Sequence, residues 1–274
     1  MQKDRFGAVV PLATVALLLL PALASGWAPA GSAPVHPGVQ TYTQGAQCTS
    51  NFVFQEGTTV FLGQAAHCSG TGEATETDGC SSDSLPLGTP VEVKGAGNKG
   101  TLAYNSWLAM QAAGEIDPDT CAYNDLALIR LDPADVGRVN PSVPGYGGPT
   151  GVGTVGDLGS TVFSYGNSEL RLGISKLSPK QGTVIQNEAG GWSHIVLTLT
   201  PGVPGDSGSA FLNEDGQAFG VLSTLQIAPL AGSNGVGDLQ RELAYARAHG
   251  FPGLQLVAGT EPFRPDLIGA ILGA

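Results

Sequence analysis

Three short segments hold side chains that could do chemistry together: Ala65-Ala66-His67-Cys68, Asn124-Asp125-Leu126-Ala127-Leu128 and Gly205-Asp206-Ser207-Gly208-Ser209-Ala210. A serine hydroxyl is a weak nucleophile at neutral pH unless an imidazole takes its proton as it attacks a carbonyl. Ser207 can be that nucleophile and His67 that base. The imidazole in turn needs an acceptor on its other nitrogen, which selects the tautomer facing the serine and stabilises the imidazolium formed during attack. Asp125 suits this task, and the apolar residues after it would shield its carboxylate from water. Gly205 allows a turn that aims its own N–H and that of Ser207 into one space, an oxyanion hole in which one donor is worth roughly 3–4 kcal/mol. Taken singly, each of the three is an ordinary structural residue. Their conjunction, in the order His, Asp, Ser, points to nucleophilic catalysis. His36, His194 and His249 have no such surroundings and default to surface or packing roles.

The elements that must position these residues read as short strands. β-type runs bounded by Gly, Pro, Asn or Asp cover 51–54, 58–62, 90–94, 126–131, 160–164, 183–186, 194–200, 218–223 and 254–257. A stretch dense in Gly and Pro between Asp132 and Asp157 predicts a connection between two β halves, with the boundary near residue 145. One helix is expected after Asp238, which can cap it; Leu239, Leu243 and Ala246 share a face, and Gly250 and Pro252 stop it. Gly95, Gly97 and Gly100 match a dinucleotide-binding spacing, but no βαβ unit follows, so they read as a hairpin turn.

The bulk numbers agree with an all-β chain. The 274 residues include 41 glycines and 19 prolines, with 42% hydrophobic content and only 13% charged, against roughly 25% charged in ordinary soluble proteins. A net charge of −11 with no Lys/Arg cluster argues against nucleic acid as a partner.

Residues 1–24 read as a signal peptide: Lys3 and Arg5, then an apolar run, then Ala22-Leu23-Ala24. Pro11 and Pro21 leave the run shorter than the roughly 20 residues of a membrane span. Residues 25–40 are expected to form a linker or short pro-segment and 41–274 the folded domain, secreted, extracellular and free of the membrane once the signal is removed. Cys48, Cys68, Cys80 and Cys121 form an even set beyond the signal, which predicts two disulfides among three possible pairings. Sequential pairing closes two modest loops, each worth roughly 3–4 kcal/mol in the chain-entropy model. No Cys-x-x-Cys pair supports a zinc site, and no metal is expected.

Ala-Ala-His-Cys, Asp-Leu-Ala-Leu and Gly-Asp-Ser-Gly-Ser, in that order, resemble the trypsin/chymotrypsin-like serine protease superfamily, in its secreted bacterial type. The order of the three residues separates this family from the α/β-hydrolases and the subtilisins. The resemblance covers roughly residues 45–225. It implies two antiparallel six-stranded β-barrels, about 41–145 and 146–265, with the triad in the cleft between them and a Cys48–Cys68 disulfide beside the histidine. It also makes Gly220-Val221-Leu222-Ser223 similar to the family's strand beside the substrate, whose serine contacts the triad carboxylate. The activity implied is that of a serine endopeptidase on protein or peptide substrates, working as a monomer without metal or organic cofactor. An inactive homologue that binds rather than cleaves, and an esterase with the same triad, are the alternatives.

The chain departs from the family in two places. It has no Ile-Val-Gly-Gly start whose amino group could pair with Asp206, so the partner must be internal, with Arg171 and Arg130 as candidates. The expected helix precedes what reads as the last strand, whereas the family usually ends on its helix. Counting back from Ser207, Pro201, Gly202 and Val203 correspond to the floor of the substrate pocket, and Ser223, Thr224 and Leu225 to its wall. None of these is charged, and Leu225 would narrow the mouth. Small or medium apolar side chains are expected at the cleaved position, where a side-chain-sized change is worth only about 1–3 kcal/mol.

Overall fold

In the computed structural model, which describes residues 26–72, 77–226 and 230–273, two β halves meet across a shared apolar layer. The expected signal peptide, residues 1–24, lies outside the described residues. The first half holds β1 (Gln40–Thr43), β2 (Ala46–Thr49), β3 (Val53–Glu56), β4 (Thr59–Ala65), β5 (Pro90–Val93), β6 (Gly100–Asn105) and β7 (Leu126–Arg130). Between β6 and β7 lie two helices, α1 (Ser106–Ala113) and α2 (Pro118–Tyr123). The second half holds β8 (Thr161–Tyr165), β9 (Pro179–Glu188), β10 (Ser193–Thr198), β11 (Ala210–Leu212), β12 (Ala218–Gln226) and β13 (Ser233–Asp238). The chain ends with α3 (Leu239–Ala248), β14 (Gln255–Leu256) and α4 (Leu267–Gly273).

The second half is a closed six-stranded barrel in the order β10-β13-β12-β11-β8-β9. The first is an antiparallel sheet of eight strands, β14-β3-β4-β7-β6-β5-β1-β2, rather than six. The surplus lies at its edges. β2 folds back on β1 as a hairpin, and β14, beyond α3, crosses from the second half to pair with β3 through Gln255–Gln55 and Leu256–Phe54. This settles the C-terminal topology: the helix occupies its expected place, and the chain then returns to the first half.

Period-two alternation builds three cores at once. On β4, Val60 and Leu62 face into the first half while Phe61 faces the second; on β7, Ala127 and Ile129 face in while Leu126 and Leu128 face out. The outward set joins Tyr146, Phe163, Leu212 and Val221 in a layer between the halves, and Leu239, Leu243 and Ala246 of α3 complete it. Val162, Val196, Phe211, Phe219 and Val236 fill the barrel. Residues 26–40 lie along the first half: Ala28 N–H donates to the Val139 carbonyl, and Val35, fully buried, bridges to Val139.

Four α-helices appear among the described residues where one was expected. α1 is set by Asn105, whose side chain accepts from the Trp107 and Leu108 N–H groups, and by Gly114, left-handed at its end. α2 is a short turn started by Asp117 and Pro118. No helix among the described residues is long and apolar enough to cross a membrane.

Candidate active site

His67 sits on a 3₁₀ turn, Ala66–Ser69, directly after β4. Two main-chain N–H groups fasten this turn to Asp125 at the start of β7: Ala66 N–H donates to its carbonyl and His67 N–H to its side-chain Oδ1, both at 2.9 Å. A disulfide from Cys68 to Cys48 ties the same turn to β2, and the second disulfide joins Cys80 to Cys121. Sequential pairing is therefore the one formed.

With the turn fixed, His67 Nδ1 lies 2.7 Å from Asp125 Oδ2. Ser223 Oγ donates to the same carboxylate oxygen at 2.6 Å. Ser223 reaches it because the register between β12 and β13 shifts between Leu222 and Thr224, and such a bulge re-aims a side chain. Asp125 is 4% exposed, so its charge acts on the imidazole through little water. Burial pulls the His67 pKa down, but the charge of Asp125 and its hydrogen bond outweigh that and leave it above the ordinary value of 6.5. With Nδ1–H donating to the Asp125 carboxylate, Nε2 carries the free lone pair.

Ser207 faces His67 across a cleft of about 530 Å³ that both residues line. No hydrogen bond joins the Ser207 hydroxyl to the ring among the described residues; such contacts commonly tighten only when substrate binds. The serine is presented by a turn in which Gly205 and Gly208 have φ of +94° and +87°. A side chain at Gly208 would collide with the Thr49 carbonyl and the Ala65 N–H, and one at Gly205 with Gln47. Glycine is required at both for conformation and for space.

The two peptide planes around Ser207 are held from behind. The Pro204 carbonyl accepts from Ser168 Oγ, and the Asp206 carbonyl from Ser209 Oγ and Ser209 N–H. In a trans peptide the N–H opposes the C=O, so Gly205 N–H and Ser207 N–H point away from these anchors. Neither donates a hydrogen bond among the described residues, whereas Asp206 N–H is used by the Val203 carbonyl. Two unspent donors beside a serine are what an oxyanion hole requires.

Neither the protein-family models nor the curated proteins include a match to this chain. Solved structures do match. A crystal structure of Thermobifida fusca protease A aligns with a TM-score of 0.53 at 22% identity, over 82% of this chain and 99% of that one. One of Cellulomonas bogoriensis chymotrypsin aligns with a TM-score of 0.50 at 20% identity, over 81% and 98%. The chain has the chymotrypsin-like fold. At these identities the likeness establishes the architecture, and the chemistry rests on the side chains.

Within the chymotrypsin-like fold, Asp206 is fully buried and anchors the serine turn. Its carboxylate pairs with Arg171, with Lys180 Nζ at 3.2 Å, and with the N–H groups of Ser168 and Val203 at 3.1 Å. Of the two expected candidates, Arg171 is the partner. Arg130 lies exposed at the end of β7, paired with Phe61 and Thr101 of the first half. Lys180 was not anticipated. Burial lowers its pKa to about 8; the Asp206 charge opposes this and the Arg171 charge adds to it.

Of the residues expected to form the substrate pocket, Val203, Ser223, Thr224 and Leu225 line the cleft, and Pro201 and Gly202 do not. The Pro201 carbonyl is turned towards Arg171 and Lys180, which need acceptors beyond the single carboxylate. Gly202 is buried with its N–H bound to Asn234 Oδ1 at 3.0 Å. Asn234 is in turn fixed by Val196 and Thr198, so Gly202 is held behind the cleft by a buried hydrogen-bond network. His194, expected to be structural, is buried between Asn187 and Asp238.

Proposed function

We propose that the chain is a serine endopeptidase that hydrolyses peptide bonds through an acyl-enzyme on Ser207, with His67 as base and acid and Asp125 as the orienting carboxylate. The observation that carries this reading is the Asp125 carboxylate, which receives both His67 Nδ1 and Ser223 Oγ in a buried setting while the opposite face of the ring looks onto the cleft that Ser207 lines.

In this mechanism His67 Nε2 takes the proton from Ser207 Oγ as the oxygen bonds to the scissile carbonyl carbon. The carbonyl π pair moves to oxygen, and Gly205 N–H and Ser207 N–H donate to the oxyanion. The imidazolium, balanced by Asp125, gives its proton to the leaving amine, and the C–N bond breaks. Water, deprotonated by the same imidazole, then releases the acid and restores Ser207. The structural neighbours, named as a protease and a chymotrypsin, accord with this chemistry.

The cleft carries no carboxylate, lysine or arginine among its described lining residues, which supports a neutral side chain at the cleaved position. Val203, Leu222 and a half-exposed Leu225 favour small or medium apolar ones. The two disulfides support an oxidising location outside the cytoplasm. Digestion of a peptide library by the protein and by Ser207→Ala, with cleaved positions read by mass spectrometry, tests the proposal. Cleavage after small apolar residues that is lost in the variant is expected; hydrolysis of simple esters without any peptide cleavage would overturn it in favour of an esterase.

A further inference from the structure

Behind Asp125, on the side away from His67, stands a second acid that the triad chemistry does not use. Glu242, on the first turn of α3, is fully buried. Its Oε1 accepts from the Asp125 N–H at 3.1 Å, and its Oε2 has no hydrogen-bond partner among the described residues. Gly237 packs directly on the same Oε1, where a Cβ would lie 2.6 Å away, so the sheet leaves room for this carboxyl. Asp238 caps α3 by accepting from Arg241 N–H at 2.9 Å and so fixes the turn that carries it.

The charged and titratable groups around Glu242 are acids and a phenol. Asp125 faces it from the start of β7 and Asp238 from the end of β13, where Asp238 is already engaged with His194 at 3.1 Å. Tyr104 on β6 keeps a buried hydroxyl without a partner, and burial, with Tyr245 and Glu242 behind it, pushes that phenol up. Arg241, next in sequence, turns away to the Gly190 carbonyl and the Trp192 ring. No ion pair reaches Glu242 among the described residues. A buried carboxylate facing two other acids, with one N–H donor and no cation, carries a large desolvation penalty and takes up a proton instead. Burial first, then the charges of Asp125 and Asp238, raise Glu242 well above the carboxylate range, against the lowering effect of the Asp125 N–H.

We infer that Glu242 is a positioning residue of the triad, an uncharged buried carboxyl that holds the Asp125 main chain by its N–H while leaving His67 to face one negative charge instead of two. This rests on the protease reading for its consequence in turnover, though not for its charge state. The electrostatic role follows from the geometry. An ionised Glu242 would add to Asp125 and hold more of the imidazole as imidazolium, which cannot take the Ser207 proton. The mechanical role is equally direct, since the Asp125 main chain carries the carbonyl and carboxylate that fasten the His67 turn.

Glu242→Gln keeps size, neutrality and an acceptor, whereas Glu242→Leu removes the acceptor. Two readouts need no catalysis: the infrared C=O band of a protonated carboxyl, as a wild-type minus Glu242→Gln difference, and the NMR titration of His67. The expected result is a carboxylic-acid band in the wild type that is absent from Glu242→Gln, with the His67 midpoint moved by less than about half a pKa unit. A missing band, or a midpoint lowered by more than that in Glu242→Gln, overturns the neutral charge state. In turnover, Glu242→Leu is expected to lower kcat about tenfold or more at little-changed KM, with Glu242→Gln near wild type. Wild-type kcat in a folded Glu242→Leu overturns the positioning role; should that variant fail to fold, a tenfold loss in folded Glu242→Gln overturns it equally. An inert wild-type protein would refute the protease reading while the band and the titration still decide the charge of Glu242.

Discussion

The Asp206 carboxylate and the Lys180 ammonium lie 3.2 Å apart with both side chains fully buried, and Arg171 closes on the same carboxylate from another side. Two internal cations thus hold the carboxylate beneath the serine turn. Removing the shared anion strands both. Asp206→Asn is expected to destabilise the fold by about 3–5 kcal/mol, measured by urea unfolding, and to lower turnover further by releasing the Gly205 and Ser207 N–H groups.

His67 supplies a pH signature with opposite signs for activity and stability. Its folded pKa is raised by Asp125, so activity, which needs the neutral ring, should rise with pH through a midpoint above 6.5. The same shift contributes stability that is fully present below the unfolded value and is lost as pH rises through the folded one. The stability gap between wild type and His67→Ala should therefore be largest in mild acid. Asp125→Asn should lower kcat by a factor of about 10⁴ with the fold retained.

The Cys48–Cys68 bond spans 20 residues and fastens β2 to the His67 turn. Replacing both with serine is expected to reduce stability by roughly 3 kcal/mol and to lower kcat by loosening the base, with a rise in KM as well because both cysteines line the cleft. Thermal unfolding and steady-state kinetics on the double variant check this.

Leu225 is 45% exposed at the mouth of the cleft. Leu225→Ala should raise kcat/KM for larger apolar side chains relative to small ones by about 10- to 100-fold, measured on a matched peptide series.

The proposed trio could be read from the sequence because each member sits in a contiguous motif of a few residues, and the structure pairs His67 with Asp125 and sets Ser207 on the same cleft as His67. Much of the surrounding fold could not be read in this way. β13, Ser-Asn-Gly-Val-Gly-Asp, has no apolar alternation, yet all six residues are buried between β10 and β12, with Ser233, Asn234 and Asp238 satisfied by hydrogen bonds. β2 is four residues without a long apolar run, Ala-Gln-Cys-Thr, and becomes a strand by pairing with β1. Lys180 carries no local sign of burial, and its role depends on Asp206, distant in sequence. Glu242 did leave a trace. Leu239, Glu242, Leu243 and Ala246 share one helical face, and an acid on an apolar stripe marks either a solvated edge or a buried partner.

The most direct test of the central claim is labelling of the folded protein with a fluorophosphonate, followed by mapping of the modified peptide. Adduct formation at Ser207 that is abolished in Ser207→Ala and strongly slowed in His67→Ala is the predicted result. A folded protein that takes up no label, or takes it up equally without His67, would contradict an activated serine at this site.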